Sequence, residues 1–336
     1  LFGRRLPVSI LVTGGAGFIG SHIVDLLLER PGGRVTVLDR LSTGGSRDNL
    51  EQHAGDPRFR FVEGDVTDRA LVRDLLGEAD QVIHATAESH VDRSIDEPGE
   101  FLATNVIGTQ VVLDASRDSG ARVLMISTDE VYGSGDPAGG LFDEDHPVAP
   151  RSPYSASKAA ADLLCQAYTA TYGANITVVR GTNAYGPRQI ERVVPTYSIA
   201  AIEGRPIPVY GKGEQRREFL HSRDWARAAI TVLDRGDPAV VYNIGAGHEL
   251  SNLDLARAIC AAAGAPESLI TFVPDRPGHD FRYGVSSDRV MALGWHPEIQ
   301  FDEGLKTTVA WYGDHLDWLR RAHSGPIVTE PRQPPV

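Results

Sequence analysis

The sequence predicts an α/β fold, a doubly wound parallel sheet with a smaller C-terminal lobe, and two observations lead to this prediction. Through the first half of the 336 residues, short continuous apolar runs alternate with stretches of helical period. Continuous apolar strands separated by helices are typical of a parallel sheet that is covered on both faces. From about Asn183, turn clusters that contain Arg and aromatic residues break this rhythm, which indicates a second, smaller lobe.

The predicted elements follow in order along the chain. Strands are predicted at residues 8–12, 34–38, 59–62, 81–85, 123–127 and 176–180, with a return to the sheet near 240–244. Helices are predicted at residues 21–29, 69–76, 101–119 and 154–172. Right-handed crossovers between such strands give a doubly wound sheet, and ligands of this fold bind at the carboxyl ends of the strands.

Charge and cysteine content exclude several classes of protein. The formal net charge of −12 argues against binding to nucleic acid or to an anionic membrane, because no overall positive field attracts a polyanion. Cys165 and Cys260 lack the spacing of a disulfide framework or a zinc site, so we expect no metal and a reducing, cytoplasmic location. The apolar run near the N-terminus is far too short to span a bilayer, and we expect no membrane segment.

The first predicted strand leads into a glycine-rich turn and then a helix. The turn contains Gly14, Gly17, Phe18, Ile19 and Gly20. Its glycines allow close approach of the backbone to a pyrophosphate, and the helix N-terminus offers free N–H groups to the phosphates. Ordinary tight turns also use glycine, but the order strand, turn, helix favours a dinucleotide site of the Rossmann type.

Two aspartates at the ends of later strands extend this site. Asp39 ends the second strand, nineteen residues after Gly20, where a carboxylate accepts the adenosine ribose hydroxyls and repels a 2′-phosphate. This favours NAD over NADP, although the neighbouring Arg40 could weaken the preference. Asp65, after the third strand, is a candidate for the adenine edge. Either aspartate could instead serve only as a turn residue.

Tyr154 and Lys158 lie four residues apart in a predicted helix, and therefore on one face. A neighbouring ammonium stabilises a phenolate, so we expect the tyrosine to act as a base near neutral pH. The chain has only three lysines, which favours a functional pair over a chance pair on the helix surface.

A second polar group, Thr128, Asp129 and Glu130, follows the fifth strand. Two carboxyl groups in one partly dry site can have their pKa values pushed apart, which gives one acid and one base. An adjacent Asp-Glu pair is more often an acidic surface turn, but its position at a carboxyl strand end favours a catalytic pair.

The segments that carry these residues resemble a known family. The sequence TGGAGFIGSH at 13–22 and the Tyr154/Lys158 pair are similar to the extended short-chain dehydrogenase/reductase superfamily. Within it, the resemblance is to dTDP-glucose 4,6-dehydratases, and it rests on HATAESHVDRSI (84–95), STDEVYG (127–133), SPYSASKAAAD (152–162) and RPGHDFRY (276–283). It runs from about residue 8 to residue 312, and the Thr-Asp-Glu triplet is its most specific element.

The resemblance implies an NAD-dependent lyase that converts a nucleotide-activated glucose, dTDP-glucose before UDP-glucose, into its 4-keto-6-deoxy derivative. Tyr154, supported by Lys158, would take the proton of the sugar 4-hydroxyl while C4 gives a hydride to NAD, and Thr128 would hydrogen-bond the 4-oxygen. Glu130 would then remove the C5 proton and Asp129 would protonate the departing 6-hydroxyl. Return of the hydride to C6 would restore NAD.

The same resemblance implies further ligand contacts. Val66, Ala85 and Thr104 would complete the cofactor site. The nucleotide sugar would contact Ser89, Asn183, Arg192, Tyr210, Arg217, Asn252, Arg276 and His279. Arginine suits phosphate because it forms bidentate, charge-assisted hydrogen bonds.

Two departures from the family pattern fall in the segment that would meet the nucleotide. Ala184 stands where the family usually has a second Asn, and Glu191-Arg192 replaces a Pro-Glu-Lys triplet. These departures leave open which nucleotide base is preferred. Glu88 and His90 would lie near the sugar by resemblance, and His90 could equally be a structural histidine.

The predicted organisation has two parts and a tail. An NAD-binding Rossmann domain is expected at 1–182 with a return segment at about 223–247, a nucleotide-sugar lobe at 183–222 and 248–323, and a flexible tail at 324–336. The resemblance implies a homodimer through the helices near 101–119 and 154–172. The apolar residues of these helices could equally belong to the core of a monomer.

Two other functions share parts of this pattern. A nucleotide-sugar 4-epimerase would use the same cofactor site and the Tyr154/Lys158 pair, but it would not need Asp129 and Glu130. A catalytically silent NAD-binding regulator would be free to lose the catalytic residues, which this chain keeps.

Overall fold

The computed structural model describes residues 8–42, 44–135, 139–190, 192–275 and 281–322. Its strands are β1 (Ser9–Thr13), β2 (Arg34–Asp39), β3 (Phe59–Glu63), β4 (Gln81–His84), β5 (Arg122–Thr128), β6 (Ile176–Gly181), β7 (Asn183–Tyr185), β8 (Ile207–Tyr210), β9 (Arg216–His221), β10 (Val241–Ile244), β11 (Glu249–Ser251) and β12 (Ile270–Val273). Seven of them form one parallel sheet in the order β3-β2-β1-β4-β5-β6-β10.

The helices are α1 (Phe18–Glu29), α2 (Arg69–Gly77), α3 (Val91–Asp96), α4 (Pro98–Phe101), α5 (Thr109–Ser119), α6 (Pro153–Tyr172), α7 (Val193–Ile202), α8 (Ser222–Arg235), α9 (Asn252–Ala263), α10 (Asp288–Ala292), α11 (Phe301–Asp314) and α12 (Leu316–Ala322). A π-helix, Leu102–Gly108, joins α4 to α5. Short 3₁₀ turns occur at Arg47–His53, Asp129–Tyr132 and Glu267–Leu269. None of the described helices is both long and apolar enough to cross a membrane.

The parallel sheet is covered on both faces. Successive residues of β1 point to opposite sides, so Ile10 and Val12 pack against α1 and α8, whereas Leu11 packs in the core that α2, α5 and α6 cover. Burial on both sides explains why the strands read as continuous apolar runs rather than as an alternating pattern. The predicted doubly wound sheet is thereby confirmed.

The strands begin and end within one residue of the predicted bounds, and the helices differ more. Helix α1 begins at Phe18 rather than at residue 21, because Gly17 serves as its N-cap and the last glycine of the turn already belongs to the helix. The helix predicted at 101–119 is divided into α4, the π-helix and α5.

The smaller C-terminal lobe follows β6. β9 pairs with β7 in parallel and with β11 in antiparallel, and β8 pairs with β12 in parallel. Helices α7, α9 and α11 pack on these strands around a core that includes Tyr197, Ile207 and Leu255. Between its parts, α8 and β10 return the chain to the central sheet, where β10 pairs with β6.

Candidate functional site

A cavity of about 870 Å³ lies along the carboxyl ends of the sheet strands and extends to the smaller lobe. This is the edge where a doubly wound sheet binds its ligands. Every predicted site residue within the described ranges lines the cavity: Gly14, Gly17, Phe18, Ile19, Gly20, Asp39, Asp65, Val66, Ala85, Ser89, Thr104, Thr128, Asp129, Glu130, Tyr154, Lys158, Asn183, Arg192, Tyr210, Arg217 and Asn252. Arg276 and His279 lie outside the described residues.

The glycine-rich turn forms a cradle that has no room for side chains. Gly14 has a φ of 71°, and a Cβ placed there would lie 2.6 Å from the backbone nitrogen of Thr86. A Cβ on Gly20 would overlap the carbonyl oxygen of Gly14. Helix α1 begins at this turn without a side-chain cap among the described residues, so N–H groups of its first turn are available to an anion.

Asp39 stands beside this cradle at the end of β2. Its Oδ2 accepts a hydrogen bond from the Ala16 backbone N–H at 3.0 Å, and its Oδ1 accepts one from the Leu41 N–H at 2.8 Å. Burial raises the pKa of this carboxyl, and the two backbone bonds oppose that effect. The carboxyl is therefore held in place where an adenosine ribose would lie.

The Arg40 side chain, next to Asp39, is already paired with two carboxylates. Its guanidinium donates to Asp65 Oδ2 at 2.9 Å and to Glu88 Oε1 at 2.6 Å. The other oxygen of Asp65 accepts from the backbone N–H and the hydroxyl of Thr67, so Asp65 also has the turn role that the sequence left open. With both ends of the guanidinium paired to carboxylates, Arg40 is a poor partner for a 2′-phosphate.

These features fit NAD. The cradle leaves space for close approach of a pyrophosphate, the helix N-terminus offers N–H donors, and the Asp39 carboxyl stands beside them at the end of β2. Val66, Ala85 and Thr104 line the same part of the cavity, and Thr104 is placed there by the π-helix. Within the described ranges, no group of three or more His, Cys, Asp and Glu side chains is arranged to hold a metal ion.

Tyr154 and Lys158 are placed by a well-capped helix. Ser152 and Ser155 form a reciprocal capping box at the start of α6, and Pro153 occupies its first turn. Tyr154 and Lys158 are both buried on the cavity wall. The Lys158 ammonium donates to the Ile126 carbonyl oxygen at 2.6 Å, and burial lowers its pKa to about 8.

The protonation of Tyr154 differs from the sequence-based expectation. Burial raises the pKa of the phenol, and the charge of Glu130 raises it further. The charge of Arg192 and a hydrogen bond with Thr128 act in the opposite direction but are weaker. Burial thus outweighs the nearby positive charge, and the pKa of Tyr154 is raised, whereas the Tyr154/Lys158 spacing predicted a lowered one.

Asp129 and Glu130 lie in the 3₁₀ turn that follows β5. The Thr128 hydroxyl caps this turn: it accepts from the Glu130 N–H at 3.3 Å and donates to Asp129 Oδ1 at 3.2 Å. Asp129 is 2% exposed, and its Oδ2 has no hydrogen-bond partner among the described residues. Burial, followed by the charges of Glu130 and Glu218, raises its pKa well above the usual range. These surroundings favour the protonated form of the Asp129 carboxyl.

The predicted substrate residues within the described ranges line the same cavity. The Arg217 guanidinium stacks over the Tyr283 ring at 4.3 Å, which fixes a positive charge beside the cavity. Arg192 precedes α7 and donates to the backbone oxygen of Ser89. Its charge also acts on Tyr154, so it lies closer to the reacting groups than the predicted nucleotide contact implied.

The remaining substrate residues come from separate elements of the smaller lobe. Asn183 begins β7, Tyr210 ends β8 and Asn252 begins α9. At the first departure from the family pattern, the Ala184 carbonyl oxygen accepts from the Gln189 side chain at 2.8 Å. Glu191 lies outside the described residues.

Two residues expected near the sugar, Glu88 and His90, line the cavity and also have structural contacts. Glu88 is buried and pairs with Arg40 and, at 2.8 Å, with Arg93. His90 caps α3, where its ring nitrogen accepts from the Arg93 N–H at 3.4 Å. Asn105 was not predicted from the sequence. Its side-chain oxygen accepts from the Glu88 N–H, and its side-chain nitrogen donates to the Glu88 carbonyl oxygen. No local pattern marks it, because its partners lie 17 residues away.

Comparison with known proteins places the chain in a family. A family model described as "NAD dependent epimerase/dehydratase family" matches residues 10–245. The chain is 46% identical to a dTDP-glucose 4,6-dehydratase from an Actinoplanes species, over 93% of this chain and 99% of that protein. It is 48% identical to the low-salt glycan biosynthesis protein Agl12 of Haloferax volcanii, over 91% of this chain and 98% of that protein.

A solved structure supports the same placement. The crystal structure of a dTDP-glucose 4,6-dehydratase from Streptomyces venezuelae with NAD bound matches with a TM-score of 0.91 at 42% identity, and the match covers 94% of this chain and 100% of that one. The chain therefore belongs to the NAD dependent epimerase/dehydratase family and, within it, to the dTDP-glucose 4,6-dehydratases.

Proposed function

We propose that this protein catalyses the NAD-dependent 4,6-dehydration of dTDP-glucose to the 4-keto-6-deoxy sugar. The observation that carries the proposal is Asp129, a buried carboxyl whose pKa is raised by its surroundings, next to Glu130 and in the same cavity as Tyr154 and Lys158. Elimination of water needs an acid and a base at neighbouring carbons, and this pair supplies both.

The cofactor would be held by the glycine cradle, the first turn of α1 and Asp39. When bound, NAD supplies a positively charged ring and a two-electron acceptor next to the sugar C4. Lys158, held on the Ile126 carbonyl oxygen, stands beside this part of the cavity. The preference for NAD over NADP is supported by Asp39 and by the pairing of Arg40 with two carboxylates.

Tyr154 takes the proton of the 4-hydroxyl in the oxidation at C4. Its raised pKa means that the phenol gives up its own proton only when positive charge is added to the site. The charge of Arg192 already acts in this direction, and Lys158 lines the same cavity. Thr128, which hydrogen-bonds Tyr154, orients the phenol and the 4-oxygen of the sugar.

Glu130 and Asp129 carry out the elimination. The 4-ketone acidifies the C5–H bond, and Glu130 removes this proton. Asp129, whose raised pKa favours the protonated form, transfers its proton to the 6-hydroxyl, and water leaves. The C5–C6 double bond that results accepts a hydride at C6 and a proton at C5, which gives the 4-keto-6-deoxy product.

The smaller lobe would bind the nucleotide diphosphate. Arg217 is suited to the diphosphate because its guanidinium is fixed over Tyr283, and Arg276 and His279 are proposed partners from the sequence. We place the NAD-binding domain at 1–182 with a return segment at about 223–247. The remaining residues up to 323 would form the nucleotide-sugar lobe, and 324–336 the tail.

We also propose that the protein is a homodimer that works in the cytoplasm. Five large apolar side chains on the helices between 91 and 172 are 49–60% exposed: Ile95, Leu102, Ile107, Leu163 and Tyr172. Exposed apolar patches of this kind mark association surfaces, and a second copy would cover them. The two free, buried cysteines, Cys165 and Cys260, are consistent with a reducing compartment.

The test is turnover of purified protein with NAD and either dTDP-glucose or UDP-glucose, followed by the mass of the product. We expect the loss of one water from dTDP-glucose without added reductant. An unchanged mass with inverted configuration at C4 would instead identify a 4-epimerase, a reaction that the family also contains. No change with either substrate would favour a regulator that only binds NAD. A preference for UDP-glucose would indicate that the departures at Ala184 and Arg192 change which nucleotide base the protein selects.

A further inference from the structure

A buried hydrogen-bond network of polar side chains connects two elements that line the cavity, α6 and the 3₁₀ turn after β5. Arg180, on β6, donates from Nε to Asp162 Oδ2 at 2.8 Å and from Nη1 to the Tyr132 hydroxyl at 2.9 Å. The Tyr132 hydroxyl donates in turn to Asn243 Oδ1 at 2.8 Å. The side chains of Arg180 and Asp162 are 3% and 1% exposed, so water does not compete for these bonds.

The network ends at Asp162 and at Tyr132, which lie on the two elements that carry the reacting groups. Asp162 follows Lys158 by one helical turn in α6 and therefore lies on the same face. Tyr132 closes the 3₁₀ turn that begins with Asp129. Arg180 thus connects the helix of the oxidation pair to the turn of the elimination pair.

The charged side chains in and beside this network are unusual for a protein interior. Lys158, Asp162 and Arg180 bury two positive charges and one negative charge, and the guanidinium stays protonated at any working pH. Burial lowers the pKa of Lys158 to about 8, and the carboxylate of Asp162 opposes this effect. Asp162 Oδ1 has no hydrogen-bond partner among the described residues, so the bond to Arg180 fixes the carboxylate.

We propose that Arg180 is a positioning residue for both halves of the reaction, an inference that rests on the proposed dehydration. Through Asp162 it holds the helix whose groups act in the oxidation at C4. Through Tyr132 it holds the turn whose carboxyls act in the elimination. None of these three side chains is among the described residues that line the cavity, so each link can be cut without removing a contact to substrate.

Tyr132→Phe removes the hydroxyl bond of the link to the turn, keeps a ring 4.9 Å from the guanidinium, and leaves the Asp162–Arg180 pair intact. We expect C4 oxidation at the wild-type rate and an elimination that is about tenfold slower, less than the roughly hundredfold that a displacement of about an ångström can cost. The absorbance of the reduced cofactor should therefore accumulate in a single turnover. The KM for dTDP-glucose should not rise, because no substrate contact is lost.

Asp162→Asn cuts the other link and keeps the shape of the side chain. Without the carboxylate, Lys158 and Arg180 repel each other and α6 loses its fixed place relative to β6. We expect the appearance of reduced cofactor itself to be about tenfold slower, with no accumulation. The two variants should thus slow different steps, which a general loss of stability would not produce.

The control is Tyr242→Phe. Tyr242 is also a buried tyrosine, and its hydroxyl accepts a hydrogen bond from the Asp237 N–H at 2.9 Å. It is not part of the Arg180 network. It should show wild-type kinetics, and the thermal unfolding of every variant shows whether it is folded. If one of the two test variants does not fold, the other still decides, because the links are cut separately.

Three outcomes would overturn the positioning role or the proposed function, and they are distinguishable. Wild-type kinetics in folded Tyr132→Phe without accumulation of reduced cofactor, or the same slow step in both variants, would overturn the positioning role. Failure of the wild-type protein to release water from dTDP-glucose would instead overturn the proposed function, and the inference with it.

Discussion

At the residue scale, the chemistry depends on the pKa of Asp129, which lies well above that of a carboxyl in water. It is 2% exposed, one of its oxygens has no hydrogen-bond partner among the described residues, and two further carboxyls, Glu130 and Glu218, act on it. Each of these conditions disfavours the charged form. The residue can therefore hold the proton that the leaving 6-hydroxyl needs.

Asp129→Asn tests this role directly, because it keeps the shape and removes the transferable proton. We expect kcat to fall by about a hundredfold or more, since general acid catalysis contributes about 10²–10⁴-fold. Oxidation at C4 should continue, so reduced cofactor should accumulate in stopped-flow absorbance. Asp74→Asn, at an exposed position of α2, is the matched control and should be fully active. An equal loss in the oxidation step would contradict the assignment.

Lys158 gives a prediction of pH dependence. Burial lowers its pKa to about 8, so the free enzyme loses the ammonium as pH rises through that value. We expect kcat/KM to be highest below about pH 8 and to fall above it. In Lys158→Arg the cation cannot be deprotonated, so the maximum is lower but this alkaline fall should be absent. An alkaline fall that persists unchanged in Lys158→Arg would mean that another group titrates.

The residues also show what a sequence can and cannot predict. Asp129, Glu130, Tyr154 and Lys158 could be predicted because each follows a strand or shares a helical turn, which are local relations. The raised pKa of Tyr154 could not, because the lysine four residues away is visible in the sequence whereas the burial is not. The partners of Arg180, 18 and 48 residues away, are equally hidden.

At the scale of elements, the glycine turn between β1 and α1 decides whether cofactor is bound. Strand, turn and helix were predictable because each leaves its own local pattern: an apolar run, closely spaced glycines and a helical period. The division of the 101–119 helix by a π-helix was not, since the apolar period continues through it. That segment still places Thr104 on the cavity wall.

Gly14→Ala should weaken NAD binding by about tenfold or more. The left-handed backbone conformation alone costs a residue with a Cβ about 1–2 kcal/mol, and the added Cβ would also press on Thr86. Titration of NAD by calorimetry measures the change. Gly77→Ala, where a Cβ meets no atom within 4 Å, is the matched control and should bind NAD normally. Normal affinity in Gly14→Ala would contradict the cradle.

At the scale of the whole molecule, the exposed apolar side chains of the helices between 91 and 172 should form the contact between two copies. Leu102→Glu combined with Ile107→Glu places two charges in this surface and should convert the protein to a monomer at micromolar concentration. Analytical ultracentrifugation measures the state. Phe272→Glu, at an equally exposed apolar site on β12, should leave the dimer intact. A dimer that survives the double substitution would place the contact elsewhere.

The oxidation and elimination groups should act together on one sugar, and a reaction in heavy water shows whether they do. The protein with NAD and dTDP-glucose should give a product that has lost one water and has gained one deuterium, at C5, because Glu130 exchanges its proton with the solvent. Nuclear magnetic resonance locates the deuterium and mass spectrometry counts it. A product that keeps all its oxygen atoms, or one that loses water without deuterium at C5, would contradict the account.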